Sequence, residues 1–169
     1  CVIGDRVEVE NGYVVGIGER MNTLSRAVAH KRQVLAAHVD RVVLVIAHGK
    51  GLREGFLMRG LVACRLQQLP PLVVVNKLDL DEDGETAKHL KTWKKLGIAC
   101  LGTSTVTGEG IDALTRALSK GSSAMLGHSG VGKSSLINVL RPGTERKTGG
   151  LDWQGKGRHV TTMAEAVVQ

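Results

Sequence analysis

The chain has 169 residues, 42% hydrophobic and 23% charged, a composition typical of one globular domain rather than of a disordered tail. Its 23 Lys and Arg against 16 Asp and Glu give a net charge of +7, which favours polyanionic partners without specifying one. Three widely spaced cysteines form no CxxC pair, and no apolar run approaches the ~18 residues of a membrane span, so the sequence argues against a disulfide framework, a zinc site or a membrane anchor.

Residues 1–37 predict a β-hairpin followed by a connector. Residues 2–17 alternate in polarity and are rich in valine, and Asn11-Gly12 is a two-residue turn signal. Because two strands alone are marginal in water, we expect them to be the last strands of a small β domain. Residues 18–37 are polar and basic and are predicted to be a connector. Since the first residue is Cys rather than Met, we expect the chain to begin inside a longer protein.

Strands and helices alternate from about residue 38, which predicts a layered α/β domain over residues 38–169. Near-continuous apolar runs indicate strands buried on both faces, at 41–47, 72–75, 98–101 and 122–126. Apolar residues at helical spacing predict helices at 54–69, 84–96 and 110–118, and another that begins at about residue 133.

The strongest motif is GHSGVGKS at 127–134, which matches GxxxxGK[ST] between a predicted strand and a predicted helix. Its glycines let successive backbone N–H groups approach phosphates. Lys133 can reach the β and γ phosphates as a catalytic cation, and the Ser134 hydroxyl can ligate Mg²⁺. A glycine-rich turn that matches by chance is the alternative. The predicted nucleotide-binding residues are Gly127, His128, Ser129, Gly130, Val131, Gly132, Lys133, Ser134 and Ser135.

Asn76-Lys77-Leu78-Asp79 forms an NKxD motif directly after a predicted strand. The Asp79 carboxylate can accept two hydrogen bonds from guanine, whereas adenine presents the wrong groups. Lys77 can lie over the base, and Asn76 can tie this loop to the phosphate loop. In isolation the four residues also suit a simple turn, but together with the phosphate loop they predict a guanine site.

Ser104-Thr105, after the strand predicted at 98–101, is a third candidate piece of the site. A turn here can offer a backbone N–H to the guanine carbonyl oxygen. A solvated turn that caps the next helix is an equally good interpretation in isolation, and its position after a strand favours the nucleotide site.

The base-reading motif precedes the phosphate loop, the reverse of the order in ordinary GTPases. A site built from loops at one sheet edge tolerates such permutation. With these motifs the chain resembles the circularly permuted GTPases, and among them the ribosome small-subunit-dependent GTPase A family. Residues 4–7 and 22–26 are similar to the end of that family's N-terminal OB-fold and the segment after it, and SGVGKSSLIN at 129–138 is similar to its phosphate loop.

The resemblance implies a P-loop NTPase sheet with permuted motif order, residues 38–169, preceded by the last strands of an OB-fold and a linker, residues 1–37. It implies GTP hydrolysis, with GTP or GDP and Mg²⁺ bound, coupled to late maturation of the small (30S) ribosomal subunit. The expected partners are that subunit and its rRNA, the expected compartment is the cytoplasm, and the expected state is a monomer. The resemblance implies zinc only in a C-terminal domain, which we expect to be missing from this fragment.

Residues 155–162, GKGRHVTT, resemble the family's GxGRHTTT switch; alone they also suit a flexible basic loop. The resemblance implies that Thr161 or Thr162 ligates Mg²⁺ and that His159 helps to position the attacking water. Val160 stands where the family usually has Thr, which leaves open which threonine serves the metal. No DxxG motif follows the switch, so we expect a fragment that binds nucleotide and hydrolyses it poorly.

Three alternatives remain open. They are another permuted GTPase with a different RNA client, a nucleotide-binding module without efficient turnover, and a P-loop kinase for adenine nucleotides, which the NKxD motif disfavours. Lys88, Lys91 and Lys95 predict one basic helical face that is either simply solvated or RNA-facing. The histidines at 30, 38, 48 and 89 show no metal-ligand spacing and are predicted to be structural.

Overall fold

The computed structural model of the chain describes residues 1–28, 31–49, 53–141 and 165–167. Its strands are β1 (Val7–Glu10), β2 (Tyr13–Ile17), β3 (Thr23–Val28), β4 (Lys31–Ala37), β5 (Arg41–Ala47), β6 (Pro71–Asn76), β7 (Cys100–Gly102), β8 (Ser123–Gly127) and β9 (Glu165–Val167). Its helices are α1 (Glu54–Leu66), α2 (Glu85–Lys95), α3 (Ile111–Leu118) and α4 (Lys133–Leu140), with a 3₁₀ turn at Leu78–Leu80. None of the described helices combines the length and apolar character needed to cross a membrane.

The central sheet has the strand order β7-β6-β5-β8-β9. Its first four strands are parallel, and β9 pairs antiparallel with β8 at the edge. The four strands predicted from apolar runs are therefore confirmed, although the one predicted at 98–101 lies at Cys100–Gly102. The predicted α/β class is also confirmed, whereas strand β9 had no counterpart among the predicted strands.

The core lies on both faces of this sheet, as the continuous apolar strands require. In β5, Val42, Leu44 and Ile46 pack with residues of α1 and α2 on one face. Their neighbours Val43, Val45 and Ala47 pack with α3 and α4 on the other. Since both faces are covered, the sheet leaves its loops and edges for ligands.

Strands β1 and β2 form the predicted hairpin, which pairs antiparallel around Asn11-Gly12. Both turn residues have positive φ, 50° for Asn11 and 82° for Gly12. This is the conformation of a type I′ turn, which matches the twist of the flanking strands. The apolar side chains of this hairpin are exposed, as at Tyr13 and Val14.

The prediction of a connector over residues 18–37 is wrong, because β3 and β4 form a second antiparallel hairpin there. Its base is anchored by Leu24 and Ala36, which belong to the same core cluster as α1. Apart from these residues and the buried Ala37, the strands are half-buried or exposed, and a bulge interrupts the register between Leu24 and Ser25. With exposure on both faces and a broken register, the sequence lacks the alternation by which strands are recognised.

Candidate nucleotide-binding site

The phosphate-loop motif lies where β8 ends and α4 begins. Gly127 is the last residue of β8, and Lys133 is the first of α4. Gly132, directly before the helix, has φ 93° and ψ 24°, a left-handed conformation that favours glycine. The N-terminus of α4 therefore lies at the edge of the sheet at which the parallel strands end, an arrangement suited to an anion.

The Lys133 side chain lies inside this loop. Its Nζ donates hydrogen bonds to the carbonyl oxygens of Gly127, at 2.8 Å, and His128, at 2.9 Å. Ser134 and Ser135 follow in the first turn of α4 and are half-buried. A hydroxyl at this place fits Mg²⁺, which binds oxygen ligands together with substrate phosphates, so the described residues are compatible with a nucleotide–magnesium complex.

Asn76 joins the base-reading loop to the phosphate loop. It is the last residue of β6, only 1% exposed, and its side-chain N–H donates to the Val131 carbonyl oxygen at 2.9 Å. Its Oδ1 accepts a hydrogen bond from Thr103 Oγ1 at 3.1 Å. One buried amide thus connects three loops, those after β6, β7 and β8. The sequence interpretation missed Thr103, although its position two residues after the strand predicted at 98–101 was a usable signal.

Asp79 and Ser104 lie together at the same edge. Ser104 Oγ donates to Asp79 Oδ1 at 2.5 Å and accepts the N–H groups of Val106 and Thr107, each at 3.2 Å. The Ser104 N–H is bonded to the Glu109 carbonyl oxygen. Within the described part of the chain, the N–H of Thr105 makes no hydrogen bond. Of the two predicted residues in this turn, Thr105 therefore offers the backbone donor, while Ser104 orients the Asp79 carboxylate.

Lys77 has φ 67° and ψ 42°, a left-handed backbone between β6 and the 3₁₀ turn that carries Asp79. Its side chain lines a cavity of about 340 Å³ between the base-reading loop and the phosphate loop. The remaining lining residues are Ala47, His48, Arg53, Leu80, His128, Ser129, Gly130 and Val131. The cavity has the size of a small-molecule site and connects the two predicted halves of the nucleotide site.

His128, inside the phosphate loop, is half-buried, and its imidazole Nε2 is shielded from solvent. Its ring packs against Phe56 of α1 with centroids 4.7 Å apart, and its Nε2 makes no hydrogen bond within the described residues. Burial and the neighbouring cations Arg53, Lys133 and Arg59 lower the pKa of His128 below its usual value of 6.5. The imidazole is therefore neutral at pH 7, and protonation would add a cation to an already positive loop.

We expect the folded protein to lose stability on mild acidification because of His128. Its pKa is lower in the folded than in the unfolded state, so its contribution is fully present above pH ~6.5 and is lost as pH falls through the lowered value. Urea unfolding of the wild type and of His128→Gln at pH 7.5 and 5.5 measures this. The decrease in the free energy of unfolding between the two pH values should be smaller in the variant. The difference should not exceed what the uptake of one proton accounts for. An equal loss in both proteins would contradict this assignment.

The structure brings His48 close to Asp81 and Asp83, a grouping that the sequence did not indicate. Their ligand-type atoms lie within 4.8 Å of one another. His48 Nδ1 lies 3.2 Å from Asp81 Oδ1 and 2.9 Å from Thr86 Oγ1, and the Thr86 N–H donates to Asp81 Oδ1. These contacts explain the cluster as a cap on the start of α2 that ties it to the end of β5. We therefore assign no metal here.

Three predicted site residues, His159, Thr161 and Thr162, lie outside the described residues. The switch segment 155–162 that contains them remains a prediction. The other predicted residues, from 76–79, 104–105 and 127–135, lie at or just after the ends of β6, β7 and β8 at one edge of the sheet, and the last three are in the first turn of α4.

Comparison with known proteins places this geometry in a family. Residues 17–168 match the model of the RsgA GTPase family. A relative named small ribosomal subunit biogenesis GTPase RsgA, from Actinobacillus pleuropneumoniae strain L20, is 38% identical over 96% of this chain and 52% of its own length. One of the same name from Ralstonia nicotianae is 37% identical over 96% of this chain and 54% of its own. The chain thus spans about half the length of these relatives.

Solved structures agree with this match. The crystal structure of YjeQ from Thermotoga maritima covers 88% of this chain and 54% of its own, with a TM-score of 0.67 and 30% identity. That of YloQ, described as a circularly permuted GTPase, covers 82% of this chain and 49% of its own, with a TM-score of 0.56 and 25% identity. The order of the motifs, the architecture of the sheet and the match over residues 17–168 lead to one conclusion: the chain belongs to the RsgA GTPase family.

Proposed function

We propose that this chain binds guanine nucleotides and, within the whole protein, hydrolyses GTP in late maturation of the small ribosomal subunit. The observation that carries the proposal is the Asn76 amide, which is bonded to the phosphate loop through Val131 and to the turn after β7 through Thr103. Such a connection serves a ligand that contacts all three loops at once, as a nucleotide does with its base and phosphates.

The described residues then divide the work of binding. Asp79, oriented by Ser104, accepts hydrogen bonds from the guanine ring N–H and amine, and the Thr105 N–H donates to the guanine carbonyl oxygen. Lys133 exchanges its bonds to two loop carbonyls for phosphate oxygens, where its charge stabilises the transition state. Ser134 would hold Mg²⁺, which supplies further charge neutralisation at the phosphates. His159 and Thr161 or Thr162 are proposed to complete the site.

Replacing Asp79 with Asn is expected to weaken GDP binding by roughly 10- to 100-fold, because a charged acceptor is lost where guanine presents two donors. We would titrate GDP and ADP into the wild type and Asp79→Asn by calorimetry with Mg²⁺. The wild type should prefer GDP strongly. The variant should gain affinity for xanthosine diphosphate, since the Asn amide can donate to the carbonyl that replaces the guanine amine.

Asp83→Asn is a matched control, since it removes the same charge from an exposed carboxylate four residues away. Its GDP affinity should equal that of the wild type. Equal affinity of the folded wild type for GDP and ADP would reject the guanine assignment and favour an adenine-nucleotide enzyme. If the whole protein binds guanine nucleotides specifically but releases no phosphate from GTP, the proposed hydrolysis is rejected and the proposed binding stands.

The partners and surroundings belong to the same proposal. Relatives of this chain are named for biogenesis of the small ribosomal subunit, and the net charge of +7 suits association with rRNA. We further propose that the protein acts as a monomer in the cytoplasm and that zinc belongs to a C-terminal domain of the whole protein. Co-sedimentation of the whole protein with small subunits in the presence of GTP or GDP tests the ribosomal part.

A further inference from the structure

Arg53 is a cation beside the phosphate loop that belongs to none of the sequence motifs. It directly precedes α1, and its carbonyl oxygen accepts the N–H groups of Phe56 and Leu57, at 2.9 and 3.1 Å. The first turn of the helix therefore fixes its backbone. The Phe56 ring in the same turn packs against the His128 ring, with centroids 4.7 Å apart. These contacts hold Arg53 next to the phosphate loop.

The cavity of about 340 Å³ between the base-reading loop and the phosphate loop is lined by Arg53. Lys77 supplies a second permanent positive charge, and among the described residues that line the cavity there is no Asp or Glu. A cleft lined by charges of one sign concentrates ligands of the opposite sign. Ser129 and Gly130 of the phosphate loop line the same cavity, so an anion bound there contacts both the loop and the start of α1.

The guanidinium group of Arg53 is available for a ligand. The residue is exposed, and its side chain makes no hydrogen bond or ion pair within the described part of the chain. Arg20 and Arg41 differ, because Arg20 is bonded to the Asp5 carboxylate and Arg41 donates to the Ala117 carbonyl oxygen. A guanidinium group without a protein partner can give two parallel N–H groups to one phosphate.

Arg53 and Lys133 lie near the same residue of the phosphate loop. Lys133 Nζ donates to the His128 carbonyl oxygen at 2.9 Å, and the charges of Arg53 and Lys133 both lower the pKa of the His128 imidazole. The lysine of this motif reaches the β and γ phosphates of a bound nucleotide. A cation close to it is therefore positioned for these phosphates rather than for the base.

We propose that Arg53 binds the γ phosphate of GTP and so makes the site favour GTP over GDP. This inference rests on the proposed guanine-nucleotide site and adds to it a phosphate ligand supplied by the residue before α1. The γ phosphate has three free oxygens, which suit the two-point contact of a guanidinium group. Because GDP lacks this phosphate, the contact strengthens binding of the triphosphate alone.

The test is calorimetric titration of the whole protein, with Mg²⁺, using GDP and the non-hydrolysable β,γ-imido analogue of GTP. Arg53→Gln should weaken binding of the analogue by roughly tenfold, the size of a hydrogen-bonded contact between charged groups, and binding of GDP by less than about twofold. Arg53→Lys keeps the charge but loses the planar contact, so its affinity for the analogue should lie between those of the wild type and Arg53→Gln. Both variants should unfold at the same urea concentration as the wild type.

Arg59→Gln is the matched control. It removes the same charge from α1, and Arg59 is also exposed and also lowers the pKa of His128, but it does not line the cavity. Its affinity for the analogue should stay within about twofold of the wild type. Equal losses in Arg53→Gln and Arg59→Gln would overturn the proposal, because the positive field of the helix would then explain binding without a contact. So would an unchanged affinity of Arg53→Gln for the analogue, or equal losses for the analogue and for GDP.

Titration with the β,γ-imido analogue of ATP separates this inference from the proposed function. If the wild type binds both imido analogues equally and Arg53→Gln weakens both, the guanine assignment fails while the contact of Arg53 with the γ phosphate stands. If the wild type prefers the guanine analogue and Arg53→Gln binds it equally well, the inference fails while the guanine site stands. A folded wild type that binds neither analogue would reject both.

Discussion

Replacing Gly132 with alanine is expected to lower GDP affinity by roughly 100-fold or more, with a loss of stability of a few kcal/mol. A Cβ built on Gly132 would lie 2.2 Å from the Asn76 side-chain nitrogen, far inside contact distance. That nitrogen is bonded to Val131, so it has little freedom to move away. The left-handed backbone at φ 93° adds strain for any residue other than glycine. Calorimetric GDP titration and urea unfolding measure both effects.

Gly130→Ala separates the clash from the backbone strain. Gly130 also has positive φ, at 81°, but a Cβ there would meet no atom within 4 Å. It should therefore cost about 1–2 kcal/mol of stability, the strain of a left-handed alanine, and much less GDP affinity than Gly132→Ala. If the two variants lose GDP affinity equally, backbone conformation rather than contact with Asn76 controls the phosphate loop.

The part of this fold that could be predicted from the sequence is the part whose signals are local. Strand β5 is a continuous apolar run because both of its faces are buried, so residues 41–47 alone indicate that environment. The phosphate loop could be predicted because its glycines and lysine are adjacent in the chain. The turn at Asn11-Gly12 follows the same rule, since both positions need a positive φ.

The β3–β4 hairpin could not be predicted in this way. Its strands are held by Leu24 and Ala36 at one end and by Gln67, whose contact with Ser25 spans 42 residues. Such long-range contacts produce no alternation of polar and apolar residues from which a strand could be predicted. The link from Thr103 to Asn76 spans 27 residues, and that from His48 to Thr86 spans 38. These side chains meet only because parallel strands bring the loops that follow them to one edge of the sheet.

Asn76→Ala should be the most damaging change outside the phosphate loop. It removes the partner of the Val131 carbonyl oxygen and of the Thr103 hydroxyl, in a site where Asn76 is 1% and Thr103 0% exposed. Buried polar groups left without a partner cost about 1–3 kcal/mol each, so a total loss of roughly 2–5 kcal/mol is expected in urea unfolding. GDP affinity should fall at least roughly tenfold, because the base and phosphate loops lose their direct connection.

Thr103→Val tests whether that connection or general stability governs binding. It keeps the size of the side chain, removes only the hydroxyl, and leaves Asn76 free to donate to Val131. We expect a loss of about 1–2 kcal/mol in stability and a GDP affinity within a few-fold of the wild type. If Thr103→Val weakens GDP binding as much as Asn76→Ala does, the bond to Val131 is not what holds the two loops together. A small effect of Thr103→Val beside a large one of Asn76→Ala would place the coupling in the bond from Asn76 to Val131. That bond joins residues 55 positions apart, so that two motifs in a permuted order form one site.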